Sequence, residues 1–290
     1  MRLLIDLWRL MRPRQWVKNG FVPMGALFAN AWHEPRVVRN VVLAVVAFSL
    51  VASGVYVVND LLDRERDAGH PKKRQRPLAA GTVSAAAALL FMGLLWALGF
   101  TLGYLVSAKI LLILSLYILM NICYSLGLKH VVLLDVFIIA GGFMLRILAG
   151  TSGIGIAPSQ WLLLCGLMMA LFLGFAKRRA ELYALSGGSA ENRRVLANYQ
   201  PVLLDKMIVV TATCVILTYS LYTMSEKTIQ AHRTESLIYT VPFVMYGIFR
   251  YIYLLHEQST GTDPALEIFR DPHLLLSITG WLGLTLWLIS

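Results

Sequence analysis

Tyr56-Val-Val-Asn-Asp-Leu-Leu-Asp-Arg-Glu-Arg-Asp67 closes a long apolar run, and His70-Pro-Lys-Lys-Arg-Gln-Arg-Pro-Leu78 follows almost at once. A helix carrying that run across a bilayer leaves the bilayer here. At about 100° per residue, Asn59, Asp60, Asp63 and Asp67 share one helical face. Three carboxylates on one stripe repel one another, and the negative end of the helix dipole adds to the repulsion. A cation among them removes that cost. All-oxygen donors favour Mg²⁺, with Mn²⁺ possible, and a sparse set of them suits a metal shared with substrate phosphates. Lys72, Lys73, Arg74 and Arg76 stand within reach of such phosphates. The alternative is a loop whose acids and bases pair in water. It accounts for the bases but not for the helical phasing of the acids.

Outward from this stretch the chain is apolar. Of 290 residues, 58% are hydrophobic and 14% charged. A soluble domain carries about 25% charged residues, so the composition is that of a membrane protein. Apolar segments near 16–31, 37–58, 85–106, 109–126, 131–149, 160–176, 207–225, 237–255 and 274–289 give about nine spans. The expected fold is all-α, a polytopic membrane bundle of about nine transmembrane helices, in a single domain over 1–290. Residues 1–14, with Arg2, Asp6, Trp8, Arg9, Arg12 and Arg14, read as an amphipathic segment on the membrane surface. The charged lead is too long for a signal peptide.

Orientation follows from Lys and Arg in alternate loops. One set holds Arg2, Arg9, Arg12, Arg14 and Lys18; Arg64 to Arg76; Lys129; and Lys177 to Lys206. The other set holds Arg36, Arg39, Lys109, Lys227 and Arg233. The positive-inside rule puts the N-terminus and the acidic stretch on the cytoplasmic side of the cell (inner) membrane. That asymmetry absorbs the net charge of +10, and no nucleic-acid partner is expected. Cys123, Cys165 and Cys214 lie inside spans without metal-ligand spacing, so disulfides are not expected. Gly187-Gly188-Ser189 reads as a flexible joint, the loop from it to Asp205 (with Asn192, Arg193, Arg194 and Tyr199) as a partial helix over the site, and 256–273 as a turn-rich lid or linker.

Other polar residues fall near the cytoplasmic ends of spans. In Arg12-Pro-Arg-Gln-Trp-Val-Lys-Asn19 the Trp and its basic neighbours read as a headgroup anchor. The functional alternative gives Lys18 and Asn19 a phosphate. Tyr124 and Lys129 flank a tight turn. Asp135 and Arg146 lie within one span, eleven residues apart and so on one face. Charges inside a span cost at least about 2.5–3.5 kcal/mol each and face a polar interior. Either they serve a site, Asp135 the better candidate, or they form an interhelical ion pair. Lys177-Arg178-Arg179-Ala-Glu181 ends another span, and its cations complement the helix dipole. Its Lys177 and Glu181 repeat the four-residue spacing of Asn59 and Asp63, a mixed face suited to a phosphate and a metal-bound water.

Asn59-Asp-x-x-Asp-x-x-x-Asp67, then Arg76-Pro-Leu-Ala-x-Gly81, in a chain of about nine spans, resembles the UbiA superfamily of intramembrane prenyltransferases. The resemblance implies that Asn59, Asp60, Asp63 and Asp67 bind Mg²⁺ and a diphosphate, helped by Tyr124 and Lys129. The quinone and haem branches carry a second motif, Asp-x-x-x-Asp, where this chain has Lys177-Arg178-Arg179-Ala-Glu181. With Arg12-Pro-Arg-Gln-Trp-Val-Lys-Asn19 and His70-Pro-Lys-Lys-Arg-x-Arg-Pro77, this is similar to the decaprenyl-phosphate phosphoribosyltransferase branch. That branch joins 5-phosphoribosyl 1-diphosphate to a polyprenyl phosphate and releases diphosphate. Two phosphorylated substrates give a reason to exchange an acid for bases.

The expected activity is therefore that of a pentosyltransferase. Asp60, Asp63 and Asp67 would be catalytic through the metal, and Lys18, Asn19, Tyr56, Lys73, Arg76, Tyr124, Lys129, Asp135, Arg146, Lys177, Arg178 and Glu181 would bind substrate. Polyprenyl length and oligomeric state stay open. One alternative is a prenyltransferase of the same fold acting on an aromatic acceptor, against which the missing acidic pair argues. Another is a transporter, which would place its charges near the bilayer midplane rather than at the mouth.

Overall fold

The computed structural model describes residues 2–69, 73–186, 194–257 and 271–289. His70 to Lys72, the Gly187-Gly188-Ser189 joint, Asn192 and Arg193, and most of the 256–273 linker lie outside these described residues. Among them every regular element is a helix. Leaving aside five short 3₁₀ turns, they are in chain order α1 (Arg2–Met11), a 3₁₀ helix (Pro13–Gly20), α2 (Phe21–Phe28), α3 (Pro35–Leu62), α4 (Arg64–Ala68), α5 (Ala85–Tyr104), α6 (Ala108–Leu126) and α7 (Leu134–Ala149). Then come α8 (Gln160–Ser186), α9 (Pro201–Met224), α10 (Glu226–His232), α11 (Val241–Glu257) and α12 (Pro272–Ile289).

Eight helical segments among the described residues are long and apolar enough to cross a membrane. They match the last eight of the nine spans read from the sequence. The first, at 16–31, is instead the end of a 3₁₀ helix followed by α2, which has eight residues. Arg12 meets Asp60 near one end of α3 and Pro35 begins α3 at the other, so the chain between them runs back along α3 in these two short pieces. Leu89, Leu90, Leu94 and Leu98 of α5 are exposed, as apolar side chains facing lipid tails would be.

By packing, the chain forms two units. The first comprises Met1–Leu27, Ala31–Lys129 and Leu145–Ala157. Its centre is α3, against which α5, α6 and α1 pack. Ala44, Ala47, Phe48, Val51 and Val55 of α3 meet Ile110, Leu114 and Tyr117 of α6 in one buried cluster. Serine caps set the neighbouring helix starts: Ser84 accepts from the Ala87 N–H and Ser107 from the Ile110 N–H. Gly150 is where the backbone after α7 meets α2, and a Cβ there would lie 1.7 Å from the Val22 carbonyl oxygen. Only glycine permits that approach.

The second unit comprises Phe28–Asn30, His130–Met144 and Pro158–Ser290. In it α9 packs on α8, α10 and α11, and α12 on α11. An aromatic group holds one end: Trp281 Nε1 donates to Tyr219 Oη at 2.7 Å, and Tyr222 packs edge-on to Phe28 with centroids 5.1 Å apart.

His232 seals that end. Its Nε2 faces the Phe28 carbonyl at 3.2 Å and the Tyr222 hydroxyl at 3.1 Å. A carbonyl only accepts, so Nε2 carries the proton, and buried Nδ1 finds no partner among the described residues. Burial pushes the imidazole below its ordinary value. A depressed pKa means that the unfolded chain takes up the proton first. The contribution to stability is then full above the unfolded value of about 6.5 and is lost as pH falls towards the folded one. Melting in detergent should therefore occur at lower temperature near pH 5 than near pH 7. That pH step should shrink in His232→Gln.

Candidate active site

The acidic stretch keeps its helical register beyond the end of α3. Asp63 caps α3 with φ −96° and ψ 5°, yet its N–H donates to the Asn59 carbonyl at 3.0 Å. The Asp67 N–H in turn donates to the Asp63 carbonyl at 2.8 Å. The four-residue bonding thus runs through the break into α4 and holds Asn59, Asp63 and Asp67 one turn apart.

Cations and donors interleave with these acids. Arg76 Nη1 reaches Asp60 Oδ1 at 3.1 Å and Asp67 Oδ2 at 2.6 Å. Arg12 donates to Asp60, Lys129 Nζ reaches Asp63 at 3.3 Å, and Ser125 Oγ donates to Asn59 Oδ1. Asp60 and Asp67 are buried, at 3% exposure each. A buried carboxylate is tolerable only when paired, and these are.

The sequence explains how Arg76 arrives there. Leu78 is fully buried with Leu10, Val57, Val83 and Ala88, which pins the Arg-Pro-Leu segment. The Arg76 N–H donates to the Lys73 carbonyl, and the turn ends at Gly81 in the left-handed region, φ 72°. Arg12 comes from the other side, at the corner between α1 and the 3₁₀ helix. It adopts a left-handed backbone, φ 51° and ψ 59°, which is uncommon for arginine. Its guanidinium lies 5.2 Å from the centre of the Tyr56 ring. Ser53 staples the corner to α3 by donating to the Met11 carbonyl at 2.9 Å and accepting from Trp16 Nε1 at 3.0 Å. Trp16, expected as a headgroup anchor, is therefore half-buried and bonded within the protein.

Asn19 and Arg146, both expected to bind substrate, meet each other in the structure. Asn19 is buried, donates to Ser49 Oγ at 2.8 Å and accepts from Arg146 Nε at 2.7 Å. Arg146 also donates to Tyr117 Oη at 3.1 Å and lies 5.0 Å from the ring centres of Phe48 and Tyr117. Cation–π contact suits a guanidinium buried among aromatics. These two residues thus lock the 3₁₀ helix to α3 and α6.

Asp135 makes the interhelical ion pair, but with Arg178. Arg178 Nε lies 2.6 Å from Asp135 Oδ2, and Nη1 binds Glu181. Both Arg178 and Asp135 are 0% exposed. Tyr199 donates to Asp135 Oδ1 at 2.7 Å and accepts from the Leu133 N–H at 2.8 Å. Burial, then the bond to the Asp135 carboxylate, raise the Tyr199 phenol above its ordinary value. Where the sequence suggested a substrate phosphate, the Arg178 guanidinium meets two carboxylates. Lys18, Lys73, Tyr124 and Lys177 are all half-buried.

The donors at the end of α3 are hard oxygens. No group of three His, Cys, Asp or Glu side chains among the described residues forms a metal cage. Mg²⁺ does not ask for one: it is bound through one or two carboxylates with substrate phosphates and waters. The residues present fit such a shared ion.

The sequence pattern of the UbiA prenyltransferase family matches residues 21–271. The chain belongs to that family. A UbiA homologue from Archaeoglobus fulgidus, solved with DMAPP and Mg²⁺, superposes with a TM-score of 0.73 over 98% of this chain and 99% of that one. At 18% identity this shows the shared fold. Decaprenyl-phosphate phosphoribosyltransferase of Mycolicibacterium smegmatis is 32% identical, covering 97% of this chain and 91% of that protein. The enzyme of the same name from Corynebacterium glutamicum is 35% identical, covering 84% of this chain and 74% of its own length.

Against this UbiA frame, sequence reasoning missed two residues that touch the acidic motif, Arg12 and Ser125. Both stood in stretches already marked as notable. Nothing in spacing linked them to partners 48 and 66 residues away.

Proposed function

We propose that this UbiA-family chain transfers the 5-phosphoribosyl group of 5-phosphoribosyl 1-diphosphate to a polyprenyl phosphate, releasing diphosphate, in a Mg²⁺-dependent reaction. The observation that carries the substrate choice is the likeness to two decaprenyl-phosphate phosphoribosyltransferases along nearly the whole chain rather than at the motif alone. The geometry supports it, since Glu181 is engaged by Arg178 while Asn59, Asp60, Asp63 and Asp67 gather where α3 passes into α4.

Asn59, Asp60, Asp63 and Asp67 would hold the metal, which when bound neutralises the diphosphate. Arg76, Arg12 and Lys129, now paired with the acids, would turn to the diphosphate oxygens as negative charge builds there. Lys73 stands in the same turn as Arg76, and Tyr56 and Tyr124 near the ends of their helices. Lys18 is assigned a phosphate. Asn19 and Arg146 act by holding the backbone that carries Lys18. The lipid phosphate oxygen attacks C1 of the ribose as the bond from C1 to the diphosphate oxygen breaks. The attacking phosphate is anionic at neutral pH, so no general base is required. Lys177 is assigned a substrate phosphate, while Arg178, Asp135 and Glu181 support it. The Lys/Arg asymmetry supports a cytoplasmic α3 motif at the cell membrane, where a water-soluble donor would have access.

Incubating the purified protein with Mg²⁺, labelled 5-phosphoribosyl 1-diphosphate and polyprenyl phosphate should move label into lipid with one diphosphate released per lipid. Label transferred instead from a prenyl diphosphate to an aromatic acid, with none from the sugar donor, would overturn the reading.

A further inference from the structure

Asn59 and Asp63 lie one turn apart where α3 ends, and Ser125 and Lys129 lie four residues apart where α6 ends. The structure joins them rung by rung. Ser125 Oγ donates to Asn59 Oδ1, and Lys129 Nζ reaches Asp63 Oδ1 at 3.3 Å. Each rung links residues 66 apart, so the end of α6 grips the acidic motif in register.

The two rungs differ in kind. Lys129 and Asp63 are held by charge, which acts at a distance and tolerates movement. Asn59 is neutral. Of the four oxygen-bearing side chains on the stripe it is the weakest donor, with no charge to draw it towards a cation. It gains most from being set in place beforehand. The serine proton occupies one lone pair of the Asn59 carbonyl oxygen and leaves the other available. Outer hydrogen bonds of this kind orient metal-binding groups, and losing one costs about 10–100-fold in metal affinity.

We infer that Ser125 is a positioning residue for metal binding, presenting the carbonyl oxygen of Asn59 as a ready donor to a divalent cation. The inference rests on the metal–diphosphate role proposed for the α3 motif. It gives that motif a partner that neither composition nor helical periodicity marks. It also separates two jobs at the end of α6, in which Lys129 answers the phosphates and Ser125 the metal.

Direct binding tests it without turnover. Mn²⁺ is titrated into full-length protein with inorganic diphosphate and no acceptor, and bound Mn²⁺ is read by electron paramagnetic resonance. Ser125→Ala should weaken Mn²⁺ binding by about 10–100-fold. Ser125→Thr, which keeps the hydroxyl, should stay close to wild type, and metal-free melting of both should match wild type. In an Asn59→Ala background the Ser125→Ala change should add nothing, because its effect runs through Asn59. In the transfer assay Ser125→Ala should need more Mg²⁺ while the KM for polyprenyl phosphate is unchanged. Wild-type protein that binds Mn²⁺ while Ser125→Ala binds it equally well overturns the inference alone. So does a Ser125→Thr variant as weak as Ser125→Ala. Wild-type protein that takes up no Mn²⁺ with diphosphate overturns the inference and the metal reading together.

Discussion

Asp63→Asn should reduce phosphoribosyl transfer by about 10²–10³-fold at ordinary Mg²⁺ and leave the protein folded. The two halves of that expectation have separate causes. Asparagine keeps the size of the side chain and one carbonyl oxygen, and it tolerates the non-helical backbone at the end of α3. What it loses is a negative charge opposite the metal. The ion pairs of Asp63 with Lys129 and Arg66 are 3.3 and 3.4 Å long, and the Asp63 side chain is 28% exposed. Partly solvated pairs of this sort contribute about 0–1 kcal/mol each, so melting should move little. Glu65 is the matched control: it lies on α4, is exposed, and falls off the stripe. Glu65→Gln should leave initial rates unchanged. Near-normal turnover in Asp63→Asn, measured on the same preparations, would refute the site.

The membrane spans and the acidic stripe were legible because both are local patterns. Hydropathy over some twenty residues marks a span, and offsets of three and four mark a helical face. The first span is broken into a 3₁₀ helix and the short α2, a break that hydropathy does not show. The left-handed turn at Arg12 and the short α2 follow from contacts with α3 through Ser53 and with Gly150. Asp135 and Arg146 do share a face of α7, but eleven residues along a helix is about 16 Å, too far for them to meet. Each finds its partner in another segment: Arg178 for Asp135, Asn19 and Tyr117 for Arg146. Arg12 and Ser125 escaped notice for the same reason. Their chemistry lies wholly in residues distant along the chain.

Lys177 and Arg178 look interchangeable in sequence, and the structure separates them. One residue along a helix is a rotation of about 100°, enough to turn one side chain into the core and leave its neighbour half out. Arg178 is the one turned in, 0% exposed, bridging Asp135 and Glu181. Removing one partner from a buried pair strands the other, at about 3–5 kcal/mol. Arg178→Ala should therefore lower melting sharply, by far more than a lost helix-dipole contact of about 0.3–1 kcal/mol would. Arg178→Met combined with Asp135→Leu removes both buried charges at once. It should melt well above Arg178→Ala, because replacing a whole pair with apolar groups is often neutral. Tyr199 keeps the Leu133 N–H in that variant, and Glu181, partly exposed, keeps access to water. Lys177→Ala should do the opposite. If its ammonium meets a phosphate, losing one charge-assisted bond costs about 1.5–3 kcal/mol. That corresponds to a rise of roughly ten- to a hundred-fold in the KM for 5-phosphoribosyl 1-diphosphate, with melting unchanged. Melting temperature and KM measured on the same three variants settle the division of labour. An Arg178→Ala protein that melts like wild type and only raises KM would return the guanidinium to the substrate.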